Sequence, residues 1–217
     1  GDEREVQILS ADLETLTGKR PVTLLGREWQ FRPGAVGSRE WERSRLAALY
    51  ALAQGEAPLV VATADGLMAR TLPPETLRSL ALTLEVGAQA DLGQLTERLL
   101  SAGYTRCEQV EGVGQFALRG GILDVFSPLM DQPVRCEFFD DEIDSMGAFD
   151  PGTQRRTRNV SSARILPAAE VLPHCAPGGL TGLADQLSAL AEKLAKKQKT
   201  EAIVQTLRED AERLRSG

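Results

Sequence analysis

The chain has 217 residues, enough for one large domain or two small ones, and with 42% hydrophobic residues it can bury a core. The net charge of −6 argues against a chain that acts as a whole as a nucleic-acid clamp, because a clamp needs a dominant basic surface. No apolar run approaches the roughly 18 residues of a membrane-spanning helix, and the first residues lack a signal-peptide pattern. The odd set of cysteines, without metal-ligand spacing, predicts reduced thiols in a cytoplasmic protein: Cys107, Cys136 and Cys175.

The first third of the chain predicts alternating helices and strands. Apolar residues at helical spacing predict a helix over 2–17 that ends at Gly18, and a second helix over 38–54. A continuous apolar and β-branched run predicts a buried strand at 58–63. Further strands are predicted at 21–25 and 29–31, and short helices at 65–71 and after the proline pair 73–74.

The middle of the chain predicts a small antiparallel sheet with one helix. Residues 81–86 predict a strand, and Asp91 begins a helix with Gln94 three residues later, as in a capping box. Residues 104–110 are expected to lead into the sheet, whose strands are predicted at 115–119, 122–126, 134–139 and 142–146.

After this sheet the pattern changes from strands to helices. A loop carries Arg155, Arg156 and Arg158, a strand follows at 163–166, and prolines and glycines predict a linker. From Leu180 onward apolar residues recur at helical spacing over 180–194 and again over 203–214, which predicts a helical hairpin. The last residues include no closing cap or strand, so we expect a piece of a longer protein.

Side-chain alternation sorts the central strands into an apolar face and a charged face. The charged face of 134–139 carries Arg135, Glu137 and Phe139, and Arg119 lies on the polar side of 115–119. In one interpretation Phe139 is a core residue at a strand end and both arginines are solvated. In the other, the strands share a sheet, and Arg119, Arg135 and Phe139 form an exposed patch with the composition of a protein-binding hot spot.

Two ordered motifs carry a family resemblance: RGGILDVFSP at 119–128 and PVRCEFFDDEIDSMGAFDPGTQR at 133–155. Together they resemble the UvrA-interaction module shared by bacterial transcription-repair coupling factor and the excision-repair protein UvrB. The resemblance implies that UvrA is contacted by Arg119, Arg135 and Phe139. These are the same three residues that side-chain alternation places on the charged face. Cys136 stands where the family usually has an aliphatic residue, on the predicted inward face.

The resemblance also implies an architecture. The segment before the module is more similar to the coupling factor than to UvrB, which would carry a nucleotide-binding loop and a DNA-clamping hairpin upstream. We therefore expect a mixed α/β fold. Residues 2–80 are expected to form the first part of a degenerate RecA-like domain that is similar to the first domain of UvrB. The UvrA-interaction module, 81–158, is then inserted into it, and 159–217 forms its return segment and helical hairpin.

Two short motifs resemble sites of chemistry but lack required parts. The sequence LTGKR at 16–20 has neither the leading glycine nor the hydroxyl residue of a phosphate-binding loop, so nucleotide binding by this chain is not predicted. His174 beside Cys175 has no orienting group for nucleophilic catalysis and no zinc-ligand spacing.

A run of acidic residues allows three interpretations: Asp140, Asp141, Glu142 and Asp144. Magnesium binding or acid–base chemistry would need companion groups in a recognisable motif, and none is evident, so a charged turn is favoured. Alternatively, Glu137, Asp141 and Glu142 rim the contact patch and tune its encounter rate with a partner. The arginines at 155–158 are expected to be a solvated surface rather than phosphate contacts.

Residues and resemblance together predict a non-catalytic fragment, without a metal or cofactor of its own, that recruits UvrA in transcription-coupled nucleotide excision repair. For the parent protein the resemblance implies an ATP- and Mg-dependent DNA translocase that acts on stalled RNA polymerase and binds DNA through other regions. One alternative is a fragment of UvrB. A more remote alternative is a metal-dependent hydrolase that uses Asp141 and Glu142.

Overall fold

A computed structural model describes residues 3–26, 39–57, 59–196 and 201–216, and within these ranges the chain is mixed α/β, as predicted. It divides into two compact units, Gly1–Glu170 and Val171–Gly217. The predicted strand at 29–31 and the start of the predicted helix at Ser38 lie outside the described residues. None of the helices in the described ranges is both long enough and apolar enough to cross a membrane.

The first unit opens with short strands and helices close to their predicted positions. In chain order these are α1 Glu3–Thr17, β1 Val22–Leu24, α2 Arg39–Gln54, β2 Val60–Ala62, α3 Ala64–Met68 and α4 Pro74–Leu80. Gly18 ends α1 with a φ of 65°, a left-handed conformation that favours glycine. Strands β1 and β2 pair in parallel.

A buried arginine links this part of the unit. Arg45 of α2 donates from Nε to Glu170 at 2.7 Å and from Nη1 to the carbonyl oxygens of Leu25 and Gly66, both at 3.1 Å. A buried guanidinium is tolerated only when it is paired, so these contacts fix α2 against the residue that follows β1 and against helix α3. A small apolar core formed by Leu46, Tyr50, Leu77 and Leu166 packs beside it.

The rest of the first unit is built on a six-stranded sheet. Its elements are β3 Leu82–Glu85, α5 Leu92–Ser101, β4 Thr105–Arg106, β5 Gln115–Arg119, β6 Ile122–Val125, β7 Val134–Phe139, β8 Glu142–Phe149, β9 Arg156–Asn159 and β10 Ser162–Ile165. The sheet order is β4-β5-β6-β7-β8-β9, and every pair after β4-β5 is antiparallel. Strands β3 and β10 pair separately, also antiparallel.

One face of the sheet packs on α5 to form the main core. Asp91 caps α5 by accepting a hydrogen bond from the Gln94 backbone at 2.7 Å, as the capping pattern predicted. Leu95 and Leu99 of α5 belong to the same core cluster as the alternating residues of the sheet, which include Phe116, Leu123, Val125, Val134, Cys136 and Met146. Burial raises the pKa of the Cys136 thiol to about 12.

The prediction of a loop at the three arginines was wrong. Arg156 and Arg158 lie on β9, an edge strand, and only Arg155 precedes it. Strand β8 extends to Phe149 and presents its backbone groups to 156–159, so pairing forms a strand there without any apolar pattern. All four residues of β9 are exposed, and arginines on an open edge discourage unwanted strand pairing.

The second unit is the predicted helical hairpin, α6 Gly179–Lys196 and α7 Glu201–Ser216. Small residues let the helices pack closely, because the buried positions are Ala184, Ala191, Val204 and Ala211. Arg215 donates to Asp185 at 2.9 Å across the two helices. The predicted linker contains a 3-10 turn at Pro173–Cys175. The assignment of the hairpin to the first domain, and of 81–158 as an inserted module, stays a prediction.

Candidate protein-binding surface

The face of the sheet turned away from α5 carries the charged residues. Register pairs Asp124 with Ala117 on one side and Arg135 on the other, and Arg135 pairs with Gly147. Residues directly opposite each other in a sheet point to the same side, so these positions form one row across four strands. We call this side of the sheet the charged face.

Asp124 is the centre of the charged face. Its side chain is 0% exposed, and Arg119 donates from Nη2 to its Oδ2 at 2.7 Å. Arg135 donates from Nε to Oδ1 at 2.7 Å and from Nη2 to Oδ2 at 2.8 Å, which is a two-point contact. One buried carboxylate therefore brings together the two arginines that the sequence selected.

Arg135 is held from several sides. Its guanidinium lies 4.6 Å from the centre of the Phe149 ring, in a cation–π contact. It also donates to the side-chain oxygen of Gln154 at 3.2 Å and to the Gln154 carbonyl at 3.4 Å. The hydrogen bond with Asp124 raises the pKa of Arg135 further above its usual range.

Phe139 ends strand β7, and its ring is not part of the core. It is 79% exposed. The register between β7 and β8 shifts after Glu137, and the extra residue lies on β8. Alternation along β7 is therefore not interrupted, and Phe139, two residues after Glu137, lies on the side that carries Arg135. The turn that follows is anchored because the Asp141 carbonyl accepts from Ala90 at 2.8 Å.

Phe139 and Arg119 lie at the same end of the sheet. The two-glycine turn between β5 and β6 follows Arg119 directly, and the Gly121 carbonyl in that turn accepts a hydrogen bond from the Phe138 backbone at 2.8 Å. Gly120 has a φ of 59°, which that tight turn requires and glycine permits. The ring and the more exposed of the two guanidiniums therefore flank adjoining turns.

A second polar network lies beside the first on the same face. Ser145 donates to Glu137 at 2.6 Å, and Arg156 donates to Ser145 at 3.1 Å. The Arg156 side chain lies close against Gly147, since a methyl group at that glycine would overlap it. The negative charge of Glu137 is thus balanced by Arg156, and the acids at Asp141 and Glu142 are exposed next to Phe139 in the chain.

The remaining sequence candidates lie at the end of helix α1, in the 3-10 turn and around the turn from β7 to β8. The LTGKR segment spans the end of helix α1 and does not link a strand to a helix, as a phosphate-binding loop does. His174 and Cys175 are exposed in the 3-10 turn. Asp140 and Asp141 form the turn between β7 and β8, and Asp144 is exposed on β8. Across the described ranges, no three His, Cys, Asp or Glu residues are grouped so as to hold a metal ion.

Sequence reasoning missed Asp124, Gln154 and Phe149. A signal for Asp124 was present, because it is the single charged residue within the apolar strand 122–126. A carboxylate in such a strand is buried only with a partner, and two arginines lie on the neighbouring strands. Gln154 had no comparable signal, since its role depends on a loop with a φ of 60° at that residue.

Comparison with known families shows what the part of the chain that carries this surface is similar to. Residues 82–171 match the family described as the UvrB interaction domain. The chain is therefore similar to that family over this stretch, which we call the matched domain. The charged face, both arginines and Phe139 lie within it. The match begins at the first residue of β3 and includes β10, so it covers the six-stranded sheet and the strand pair beside it.

Relatives extend the likeness beyond the UvrB interaction domain. The chain is 36% identical to the transcription-repair-coupling factor of Myxococcus xanthus over 230 residues, which cover 100% of this chain and 18% of that protein. It is 34% identical to that of Bacillus subtilis (strain 168) over 217 residues, covering 98% of this chain and 18% of the relative. For Staphylococcus aureus (strain USA300) the identity is 41% over 128 residues, 59% of this chain and 11% of the relative. The predicted resemblance is confirmed, and the chain spans under a fifth of the length of these relatives.

Proposed function

We propose that this chain is a non-catalytic part of a transcription-repair-coupling factor and that its UvrB interaction domain recruits UvrA to sites of transcription-coupled nucleotide excision repair. Arg119, Arg135 and Phe139 are the proposed contact residues. Glu137, Asp141 and Glu142 are the proposed rim.

One observation carries the proposal. Two arginines share a buried carboxylate on the same sheet face as a phenylalanine that is 79% exposed. Folding leaves most of that ring in water, where it gains little for stability, while arginine and aromatic residues are enriched among binding hot spots. The positions are also those that the family resemblance implies for UvrA contact.

The test measures binding of purified UvrA to the complete chain by biolayer interferometry. We expect Arg119→Ala, Arg135→Ala and Phe139→Ala each to weaken binding by about 2 kcal/mol or more, roughly thirtyfold, as hot-spot residues do. Arg208→Ala is the matched control for arginine loss, because Arg208 is exposed on α7 outside the matched domain. If all three variants bind UvrA as the unchanged chain does, the proposed surface is wrong.

For the parent protein we propose an ATP-driven DNA translocase that uses Mg and acts on stalled RNA polymerase in the cytoplasm. The support is the similarity to transcription-repair-coupling factors, 36% and 34% identical, of which this chain covers only a part. ATP, Mg, DNA and RNA polymerase are proposed to bind outside this chain, for which no cofactor is proposed. ATP hydrolysis measured side by side for the isolated chain and the full-length parent tests this division, and turnover by the isolated chain would contradict it.

A further inference from the structure

The charged face contains a buried carboxylate, Asp124, between two of the proposed contact residues. Asp124 occupies the centre of β6, where the apolar neighbours Leu123 and Val125 point into the main core. Its own side points to the charged face, yet the carboxylate is 0% exposed. Covering a carboxylate in this way is unfavourable unless charged donors replace its water.

The arginines replace that water. Of the hydrogen bonds described for the Asp124 side chain, one comes from Arg119 and two from Arg135. The two guanidiniums repel each other, and the single carboxylate between them lets both lie on the strands that flank β6. The group of three keeps one net positive charge, available to an acidic group on a partner.

The two arginines differ in how exposed they are and in how far their N–H donors are already used within the chain. Arg135 is 19% exposed and is already committed to Asp124, to Gln154 and to the Phe149 ring. Arg119 is 46% exposed and reaches Asp124 through one nitrogen, with a long 3.4 Å contact to the Glu108 carbonyl. The donors that can still meet a partner therefore lie mainly on Arg119, next to the turn that adjoins Phe139.

We propose that Asp124 is a positioning residue: it fixes the Arg119 guanidinium, with Arg135 as a brace, in the direction that a partner protein binds. This inference rests on the proposed function. An arginine side chain has many rotamers, and ordering it before association removes a cost that would otherwise weaken the complex. Asp124 itself stays covered and contacts no partner.

Asp124→Asn tests this role, because asparagine has the same shape without the charge. In the complete chain we expect at least a tenfold loss of affinity for purified UvrA by biolayer interferometry. Asp144→Asn is the matched control, since Asp144 is an exposed acid on β8, and we expect it to bind as the unchanged chain does. In an Arg119→Ala background, adding Asp124→Asn should cost less than threefold, a coupling that a general loss of structure would not produce.

Two further measurements keep the outcomes distinct. Circular dichroism melting checks folding, and if Asp124→Asn does not fold, Asp124→Glu replaces it, with the charge kept and the guanidiniums displaced. Arginine Nε–H resonances of the free chain report the pair directly, and the protected Arg135 signal should be lost in Asp124→Asn. Affinity within twofold of the unchanged chain for a folded Asp124 variant overturns the positioning role alone. No binding of UvrA by the unchanged chain overturns the proposed function, and this inference with it.

Discussion

Truncation of Phe139 separates binding from stability more sharply than any other change on the charged face. The ring is 79% exposed, and a phenylalanine presents about 200 Å² in all, so about 160 Å² remains to be covered by a partner. At about 25 cal/mol per Å², covering this area is worth at most about 4 kcal/mol, of which Phe139→Ala removes the larger part. We expect a loss of about 2 to 3 kcal/mol in UvrA binding, or about 30- to 150-fold in Kd.

The same exposure predicts almost no effect on folding. A surface substitution away from a packed site changes the free energy of unfolding by about 0.5 kcal/mol or less. Urea denaturation and interferometry on the same protein preparation measure both quantities. Leu16→Ala is the control, because Leu16 is 80% exposed on α1, outside the matched domain, and should change neither. An affinity within threefold of the unchanged chain, or a loss of stability above about 1 kcal/mol, would show that the ring is not an exposed binding residue without a role in folding.

Three further predictions concern the fold. Arg135→Ala should lower the free energy of unfolding by at least about 2 kcal/mol in a urea titration, because it removes two hydrogen bonds from a buried carboxylate. Arg119→Ala should lower it by about 1 kcal/mol in the same titration, because it removes one hydrogen bond at a half-exposed site. If Arg119→Ala lowered the free energy of unfolding more than Arg135→Ala does, this division of roles would be contradicted. Between pH 9 and 12 the folded chain keeps the Cys136 proton that the unfolded chain releases, so stability should fall as pH rises, and Cys136→Ala should flatten that fall in urea titrations. If the free energy of unfolding falls with pH just as steeply in Cys136→Ala, a group other than Cys136 causes the fall. Gly66→Ala should destabilise by about 1 to 3 kcal/mol, because its methyl would lie 2.5 Å from a backbone oxygen at the end of β1, whereas Gly112→Ala, with nothing closer than 4.0 Å, is expected to be tolerated in thermal melts.

The faces of β7 were predictable because its apolar residues alternate without a break. Val134, Cys136 and Phe138 had to share one side whatever the strand's neighbours were, and Arg135 had to point away from them. The helix at Asp91 was equally predictable, since its cap and its leucine stripe agree. These features depend on residues close together in the chain.

Features set by distant residues were not predictable in the same way. The burial of Asp124 depends on which strands lie beside β6, and strand order does not follow from alternation. Arg45 lies among charged residues in α2, and nothing near it in the chain indicates that Glu170 covers it. Strand β9 consists of exposed polar residues and owes its form to the backbone of β8.

The pairing of β3 with β10 has a consequence for how this piece of protein can be handled. Leu82 faces Ile165 in that ladder, so the chain enters and leaves the enclosed stretch through neighbouring positions, about 5 Å apart. A segment with adjacent ends can be grafted into a surface loop of an unrelated carrier without stretching either partner. The same closeness allows a circular permutation, in which a few glycines join the two ends of the segment. New termini are then placed at an exposed turn far from Phe139.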